Sequence, residues 1–253
     1  GLVVDRREGV SVYYRPASEA SNQEIGRLWR VLRASLDDPQ VNADAERLPD
    51  VLVERASGRH WPDAVAGDME RHYSPGRTWE ATARAMVQLL SAGRVLDIAS
   101  GDGVIGELLH RRAESIDCVD LSPRVVEAGQ QRVRSFDNVR FHQADMHALP
   151  FDDAVFDTVL MLHALTYSAD PARAVDEAAR VLAPGGRLVC ATLHEHSHTI
   201  QVSAYGHVNS GFARDALVEL FTGSDLDVDF CEVSSIEKKP PNFEILTLLA
   251  KKS

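Results

Sequence analysis

The fold of this chain is decided by Val95-Leu96-Asp97-Ile98-Ala99-Ser100-Gly101-Asp102-Gly103, an apolar run followed by small and polar residues. The apolar run predicts a short buried strand, and the apolar periodicity that follows predicts a helix. Small residues in such a loop let the backbone approach a ligand, and the amides at a helix start can receive polar or anionic groups. The stretch therefore predicts a ligand-binding loop at the edge of a sheet.

Strands and helices alternate on the carboxyl side of this loop. Strands are predicted near 116–119, 139–142, 156–161 and 187–193, and helices near 104–112, 123–135, 172–181 and 213–221. Such alternation is typical of a parallel sheet covered on both faces. Two further strands, near 228–233 and 244–250, follow without a helix between them and should pair as an antiparallel hairpin. The predicted fold class is α/β, with a doubly wound, mostly parallel seven-stranded sheet that ends in an antiparallel hairpin.

The loop is compatible with two adenosine-containing ligands. Gly101, Gly103 and Gly106 spell G-x-G-x-x-G, the dinucleotide fingerprint, and Asp120 ends the second strand, where an acid can hold a ribose. Asp97 distinguishes between the two candidate ligands. A carboxylate at the tip of the first strand would repel a pyrophosphate but would suit the ammonium of an amino-acid moiety. This favours S-adenosylmethionine over NAD.

Four motifs in order resemble class I methyltransferases. Residues 97–103 resemble the glycine-rich first motif of that family and Asp120 its ribose-binding acid, while 144–157 and 181–187 resemble its later motifs. The resemblance implies that S-adenosylmethionine is the cofactor and S-adenosylhomocysteine the product, that Asp145 contacts the adenine amino group, and that Met146 lies by the ring. The predicted cofactor-binding residues are Tyr73, Arg77, Asp97, Ala99, Ser100, Gly101, Gly103, Asp120, Leu121, Asp145, Met146 and Leu162. Ala99 departs from the family, which usually has glycine there, and this could crowd the ligand.

The N-terminal part shows a second resemblance. Residues 2–14 predict a hairpin, and 21–36 predict a helix with a capping box formed by Ser21 and Glu24. Together they resemble the wing and dimerisation helix of ArsR-type winged-helix regulators, some of which carry a methyltransferase domain. The resemblance implies a homodimer, with DNA contacted only through a recognition helix upstream of Gly1. The predicted domains are 1–36, a winged-helix remnant; 37–77, a helical and polar linker interrupted by prolines such as Pro49; and 78–253, the methyltransferase domain.

Polar residues after the later strands are candidates for the methyl-acceptor side. His163, Tyr167 and His207 could each remove a proton from an acceptor, although each could also be a mere polar lining residue. His194, His196 and His198 alternate on one segment and could meet a metal ion, but they lack an acidic or thiolate partner at ligand spacing. We therefore predict a polar loop over the substrate cavity and no metal.

Composition restricts the range of functions. The formal net charge of −11 disfavours general contact with nucleic acid, so a small-molecule acceptor is expected. No apolar run is long enough to cross a bilayer, and three isolated cysteines in apolar segments indicate buried reduced thiols and a cytoplasmic protein. The predicted function is methyl transfer to a small molecule. A non-catalytic domain that senses S-adenosylmethionine or S-adenosylhomocysteine for a transcription regulator stays open, because both functions need the same adenosyl pocket.

Overall fold

A computed structural model of the chain describes residues 3–8, 11–16, 38–56 and 78–253. The chain divides into two compact units, Gly1–Ser74 and Pro75–Ser253. The predicted helix at 21–36 lies outside the described residues, as do Tyr73 and Arg77. Within the described part of the chain, no helix is long and apolar enough to cross a membrane.

The first unit contains the predicted hairpin. Strands β1 (Val3–Glu8) and β2 (Ser11–Pro16) pair antiparallel from Val3 opposite Pro16 to Glu8 opposite Ser11.

A polar helix, α1 (Pro39–Ala56), also belongs to the first unit. The expected interruption at Pro49 is wrong, because α1 continues through this residue. Proline has no amide hydrogen, so the helix lacks the bond that residue 49 would give to the carbonyl of Ala45.

The second unit alternates strands and helices as predicted. In chain order its elements are α2 (Trp79–Met86), β3 (Gly93–Ile98), α3 (Val104–Leu109), β4 (Ala113–Asp120), α4 (Pro123–Val133), β5 (Val139–Gln143), β6 (Phe156–Leu162), α5 (Pro171–Val181), β7 (Leu182–Leu193), α6 (Thr199–Ser203), α7 (Arg214–Thr222), β8 (Leu226–Ile236) and β9 (Glu244–Lys252). Short 3-10 turns occupy Val87–Leu89 and Leu165–Tyr167. Helices α4 and α5 are each capped by a side chain, since Ser122 and Asp170 accept hydrogen bonds from backbone amides, and a proline follows each.

The sheet of the second unit has seven strands in the order β5-β4-β3-β6-β7-β9-β8. The pairs from β5 to β7 are all parallel, whereas β9 pairs antiparallel with both β7 and β8. This confirms the predicted fold class, including the C-terminal antiparallel strands.

Two clusters of buried side chains cover the two faces of the sheet. One includes residues of α5 and α7, such as Val175 and Phe221, and the other includes residues of α3 and α4, such as Leu109 and Val126. The cysteines Cys118, Cys190 and Cys231 are free and buried, as predicted. Two covered faces leave the strand ends as the places where a ligand can approach.

Candidate active site

A large cavity opens at the carboxyl ends of the central strands. The strand order reverses at β3, whose neighbours are β4 and β6, and ligands of open α/β sheets bind at such a switch point. The cavity has a volume of about 800 Å³. It is lined by Ala99, Gly101, Val119, Asp120, Leu121, Ser122, Val125, Ala144, Asp145, Met146, His147, Leu162, His163, Tyr167 and Ala169.

The loop after β3 forms one wall of this cavity, and three of its residues have positive φ. The angles are 55° at Ala99, 56° at Gly101 and 82° at Gly103. A Cβ on Gly101 would meet no described atom within 4 Å, so this position leaves open space beside the cavity. A Cβ on Gly103 would instead lie 2.6 Å from the ring of Phe141. Gly101 therefore keeps space for a ligand, whereas Gly103 is required for packing.

Asp97 lies behind the loop with a buried carboxyl group. It is 2% exposed, and its Oδ2 has no hydrogen-bond partner among the residues that the structure describes. Burial, and secondly the nearby charge of Asp120, raises the pKa of Asp97 to about 7. An unpartnered buried carboxyl suits a cationic group such as the ammonium of an amino-acid moiety.

Asp120 is held in place at the end of β4. Its Oδ2 accepts a hydrogen bond from the amide of Gly101 at 3.2 Å, and its Oδ1 accepts one from the amide of Ser122 at 2.9 Å. Each carboxylate oxygen keeps capacity for a further donor. The fixed carboxylate can therefore receive both hydroxyls of a ribose while it ties the loop after β3 to the turn before α4.

The cavity brings together most of the predicted cofactor-binding residues. Ala99, Gly101, Asp120, Leu121, Asp145, Met146 and Leu162 all line it. Three others are not among the lining residues: Asp97 lies behind the loop, Gly103 packs on Phe141, and Ser100 donates through its amide and its hydroxyl to the carbonyl of Val119. The unpartnered Asp97 oxygen and the open space at Gly101 fit an adenosyl amino-acid ligand, with Asp120 and Asp145 as acceptors.

A second cavity of about 590 Å³ adjoins the first. His163 and Tyr167 line both cavities, so their side chains lie where the two meet. The other lining residues are Leu193, Gln201, Val202, Ala204, Tyr205, His207, Glu237, Lys239, Pro240, Pro241, Phe243 and Ile245. This brings the three predicted proton acceptors to one place.

Two imidazoles at this junction have lowered pKa values. His163 has a φ of 61°, and its amide donates to the carbonyl of Ala191 at 2.7 Å. Although His163 is exposed to the cavities, partial removal from solvent lowers its pKa, and the charge of Glu237 opposes this effect. Burial, and secondly the proximity of His163, lowers the pKa of His207, whose ring meets Tyr167 edge-on at 5.0 Å. The lowered pKa values favour the neutral form of both imidazoles, which can accept a proton.

The alternating histidines after β7 serve separate contacts. His194 Nδ1 lies 2.7 Å from a carboxylate oxygen of Glu244, while His196 and His198 pack against the ring of Phe243. No group of three histidine, cysteine or acidic side chains in the described part of the chain has a geometry for a metal ion.

Several lining residues were not predicted from the sequence. In the first cavity these include Ser122, Val125, Ala144, His147 and Ala169, and in the second Tyr205, Glu237, Lys239 and Phe243. Position in the motifs gave a usable signal for His147, which directly follows Asp145-Met146. Tyr205, Glu237, Lys239 and Phe243 carried no such signal, because folding alone brings them to the second cavity.

A sheet of this order with a cavity at its switch point defines the class I methyltransferase fold. In agreement, residues 96–190 match the family model described as Methyltransferase domain. A demethylmenaquinone methyltransferase from Clavibacter sepedonicus is 35% identical over 111 residues, which cover 44% of this chain and 45% of that protein. The chain thus spans about half the length of the curated relatives it matches. These matches support the prediction of a methyltransferase domain that uses S-adenosylmethionine as its cofactor.

Solved structures agree on the fold. A geranyl diphosphate methyltransferase in complex with S-adenosylmethionine superimposes with a TM-score of 0.57 and 18% identity, covering 71% of this chain and 93% of that one. The [4+2]-cyclase SpnF superimposes with a TM-score of 0.58 and 21% identity, covering 71% and 84%. Because chains of this fold include one described as a cyclase, the reaction has to be argued from the site itself.

Proposed function

We propose that this protein transfers a methyl group from S-adenosylmethionine to a small-molecule acceptor. The observation that carries the proposal is the pair of adjoining cavities with His163 and Tyr167 in their common wall. The first cavity offers acceptors for a ribose and an adenine amino group, in Asp120 and Asp145, and the buried carboxyl of Asp97 behind its wall suits an ammonium. The second offers separate room for an acceptor molecule beside it.

The chemistry asked of the protein is mainly alignment. Bound S-adenosylmethionine would supply an electrophilic methyl group with a good thioether leaving group. The walls of the second cavity would hold the nucleophile in line and exclude water, which lowers the entropic part of the barrier. Apolar side chains such as Val202, Phe243 and Ile245 supply much of that wall, so the acceptor we propose is largely apolar.

A neutral imidazole at the junction would remove the proton of a weakly acidic acceptor. His163 is the best placed of the three candidates, because it lines both cavities and its pKa is lowered. We expect His163→Gln to lower kcat by about 10²-fold or more for an acceptor that must lose a proton, with unchanged affinity for S-adenosylhomocysteine. Equal losses for acceptors that need no base would assign His163 to positioning alone.

The test of the proposed reaction measures S-adenosylhomocysteine formation from S-adenosylmethionine with a panel of phenols, hydroxyquinones, thiols and amines. Ala204→Trp would fill the second cavity, whereas Ala204→Ser is the matched control. We expect Ala204→Trp to abolish turnover while binding S-adenosylhomocysteine as the wild type does. Turnover that persists in Ala204→Trp would contradict the assignment of the second cavity to the acceptor.

A sensing role is the competing function, since a sensor needs the first cavity but not the second. Isothermal titration with S-adenosylmethionine and S-adenosylhomocysteine, on wild type and Asp120→Ala, separates the possibilities. Tight binding that collapses in Asp120→Ala, together with turnover of a panel member, supports the enzyme. A strong preference for S-adenosylhomocysteine without turnover supports the sensor, and NAD binding in place of both would support an oxidoreductase.

We also propose that the N-terminal unit is part of an ArsR-type transcriptional regulator. It is supported by the β1–β2 hairpin, which has the form of a wing and carries Arg6, Arg7 and Arg15 against Asp5 and Glu8. This charge balance is too weak for DNA binding by the hairpin alone. We propose a homodimer through 21–36, which lies outside the described residues. Leu28→Asp with Leu32→Asp should give a monomer by light scattering, and an unchanged dimer mass would remove this part of the proposal.

A further inference from the structure

The carboxylate of Asp145 is the end of a chain of three side chains at the edge of the first cavity. Its Oδ1 accepts a hydrogen bond from the backbone amide of His147 at 2.9 Å and lies 2.6 Å from His147 Nδ1. The opposite ring nitrogen, Nε2, lies 2.7 Å from the hydroxyl oxygen of Ser168. Ser168 is 2% exposed, so the chain is anchored in the protein interior.

The chemistry of the partners fixes the direction of the hydrogen bond between His147 and Asp145. An ionised carboxylate can only accept, so Nδ1 of His147 carries the proton that points at Asp145. Nε2 of His147 accepts from the hydroxyl of Ser168 when it carries no proton and donates to the hydroxyl oxygen when it carries one, so both forms keep this hydrogen bond. The backbone amide of His147, and then its imidazole, holds the pKa of Asp145 below its ordinary value. Asp145 is therefore ionised at neutral pH and receives two donors on one oxygen.

This arrangement prevents free rotation of the Asp145 carboxylate. Because Oδ1 is engaged twice, Oδ2 is the oxygen that Asp145 can offer fully to a ligand in the cavity. Arg173 holds the same turn from the other side, since its Nε donates to the carbonyl of His147 at 3.0 Å. A fixed acceptor discriminates between a ligand that presents an amino group and one that presents an oxygen at the same place, because two acceptors repel each other.

We propose that His147 and Ser168 are positioning residues that make the first cavity selective for a 6-amino purine over a 6-oxo purine. The inference rests on the proposed function, which places the adenine of the cofactor beside Asp145. Neither residue needs to touch the cofactor for this role. Both act through the orientation of one carboxylate, and a rotating or mispointed carboxylate would lose selectivity before it lost binding.

Ser168 also connects this carboxylate to the wall between the cavities. It directly follows the turn at Leu165–Tyr167, and its amide donates to the carbonyl of Leu165 at 3.1 Å. Tyr167 of the same turn lines both cavities. The chain from Asp145 to Ser168 thus joins the adenine end of the first cavity to an element that contacts the acceptor side.

The experiment compares the dissociation constants of S-adenosylhomocysteine and S-inosylhomocysteine, in which an oxo group replaces the adenine amino group, by isothermal titration. We expect the wild type to prefer the adenosyl ligand by about 10²-fold, as for a charged acceptor left without its donor. His147→Ala should reduce this preference by roughly tenfold, and Ser168→Ala by about threefold. His147→Asn should restore part of the preference, because its amide can donate to Oδ1 in place of Nδ1.

A matched control is present in the same unit. His142 Nε2 lies 2.6 Å from Asp117, another imidazole–carboxylate pair, and neither residue lines the first cavity. His142→Ala should leave the ratio of the two dissociation constants unchanged. If the wild type discriminates and the ratio is also unchanged in both His147→Ala and Ser168→Ala, the inference is overturned. A wild type that binds S-adenosylhomocysteine without discrimination would overturn it as well, whereas binding of neither ligand would overturn the adenosyl site and the inference with it.

Discussion

Ala99 occupies a backbone conformation that alanine disfavours. Its φ of 55° lies in the left-handed region, which costs a residue with a Cβ about 1–2 kcal/mol and glycine almost nothing. Glycine loses more chain entropy on folding, so we expect Ala99→Gly to raise the free energy of unfolding by only about 0.5–1 kcal/mol. Because the methyl group also leaves the cavity wall, the affinity for S-adenosylhomocysteine should rise. Denaturant unfolding and isothermal titration measure the two effects.

Ala154 provides the control for this prediction. It also has a positive φ, 58°, but it does not line either cavity. Ala154→Gly should therefore give a similar gain in stability and no change in ligand affinity. If both variants change affinity equally, or neither does, the crowding of the ligand by Ala99 is not real.

Among single residues, the sequence predicted the location of those that end a strand. Asp97 and Asp120 belong to strands β3 and β4, and parallel strands bring their carboxyl ends together. His147 was missed because its contact with Ser168 depends on the distance between two loops that are separated by β6. Ser168 was not predicted for the same reason, because the sequence pattern does not reveal its contact with His147.

Helix α4 and strand β5 meet at a contact that only glycine permits. A Cβ on Gly129 would lie 2.2 Å from the ring of Phe141. Alanine is a better helix former by about 1 kcal/mol, but the clash should cost about 1–3 kcal/mol, so we expect Gly129→Ala to destabilise the protein. Thermal and denaturant unfolding test this. Gln130→Ala, on the exposed side of the same helix, should be nearly neutral, and a stabilised Gly129→Ala would show that Phe141 can move aside.

The last strand is fastened to the end of α5 by one side chain. Lys252 Nζ donates to the carbonyls of Ala179 at 2.7 Å and Leu182 at 2.8 Å, near the end of that helix. Lys252→Met should lower the free energy of unfolding by about 1–3 kcal/mol, because buried carbonyls lose a charged donor. Lys251→Met, at the exposed neighbouring position, is the control. Equal free energies of unfolding for the two variants in denaturant would show that the hydrogen bonds of Lys252 do not stabilise the fold.

Elements with strong periodicity were predicted well, whereas most of the second cavity was not. The strands and the helices α3, α4, α5 and α7 lie close to their predicted positions because apolar spacing and caps are local signals. The second cavity instead depends on the short α6 and on 237–245, which contact residues far away in the sequence. The turn at Leu165–Tyr167 is shorter still, and three residues carry no periodic signal.

The stability of the second unit depends on pH through two kinds of acidic group, which act in opposite directions. Arg94 keeps the pKa of Asp157 low, and Arg180 does the same for Glu177, so these carboxylates stabilise the fold at neutral pH and lose this effect as the pH falls. Asp97 acts in the other direction, because burial raises its pKa to about 7. A total pH profile mixes both effects, so the contribution of Asp97 has to be isolated with a variant.

We predict that Asp97→Asn is more stable than the wild type at pH 8 and that this advantage shrinks as the pH falls to 5. The ordinary pKa of 3.8 applies to the unfolded chain and about 7 to the folded one, so the folded protein binds the additional proton between these values. Stability from this group is thus fully present below pH 4 and is lost as the pH rises through 7. Asp97→Asn lacks this titrating group. Any other effect of asparagine changes the free energy of unfolding by the same amount at every pH and does not change the slope against pH. Urea unfolding of both proteins from pH 5 to pH 8 measures the difference, and a constant difference would mean that Asp97 is not protonated in the ligand-free fold.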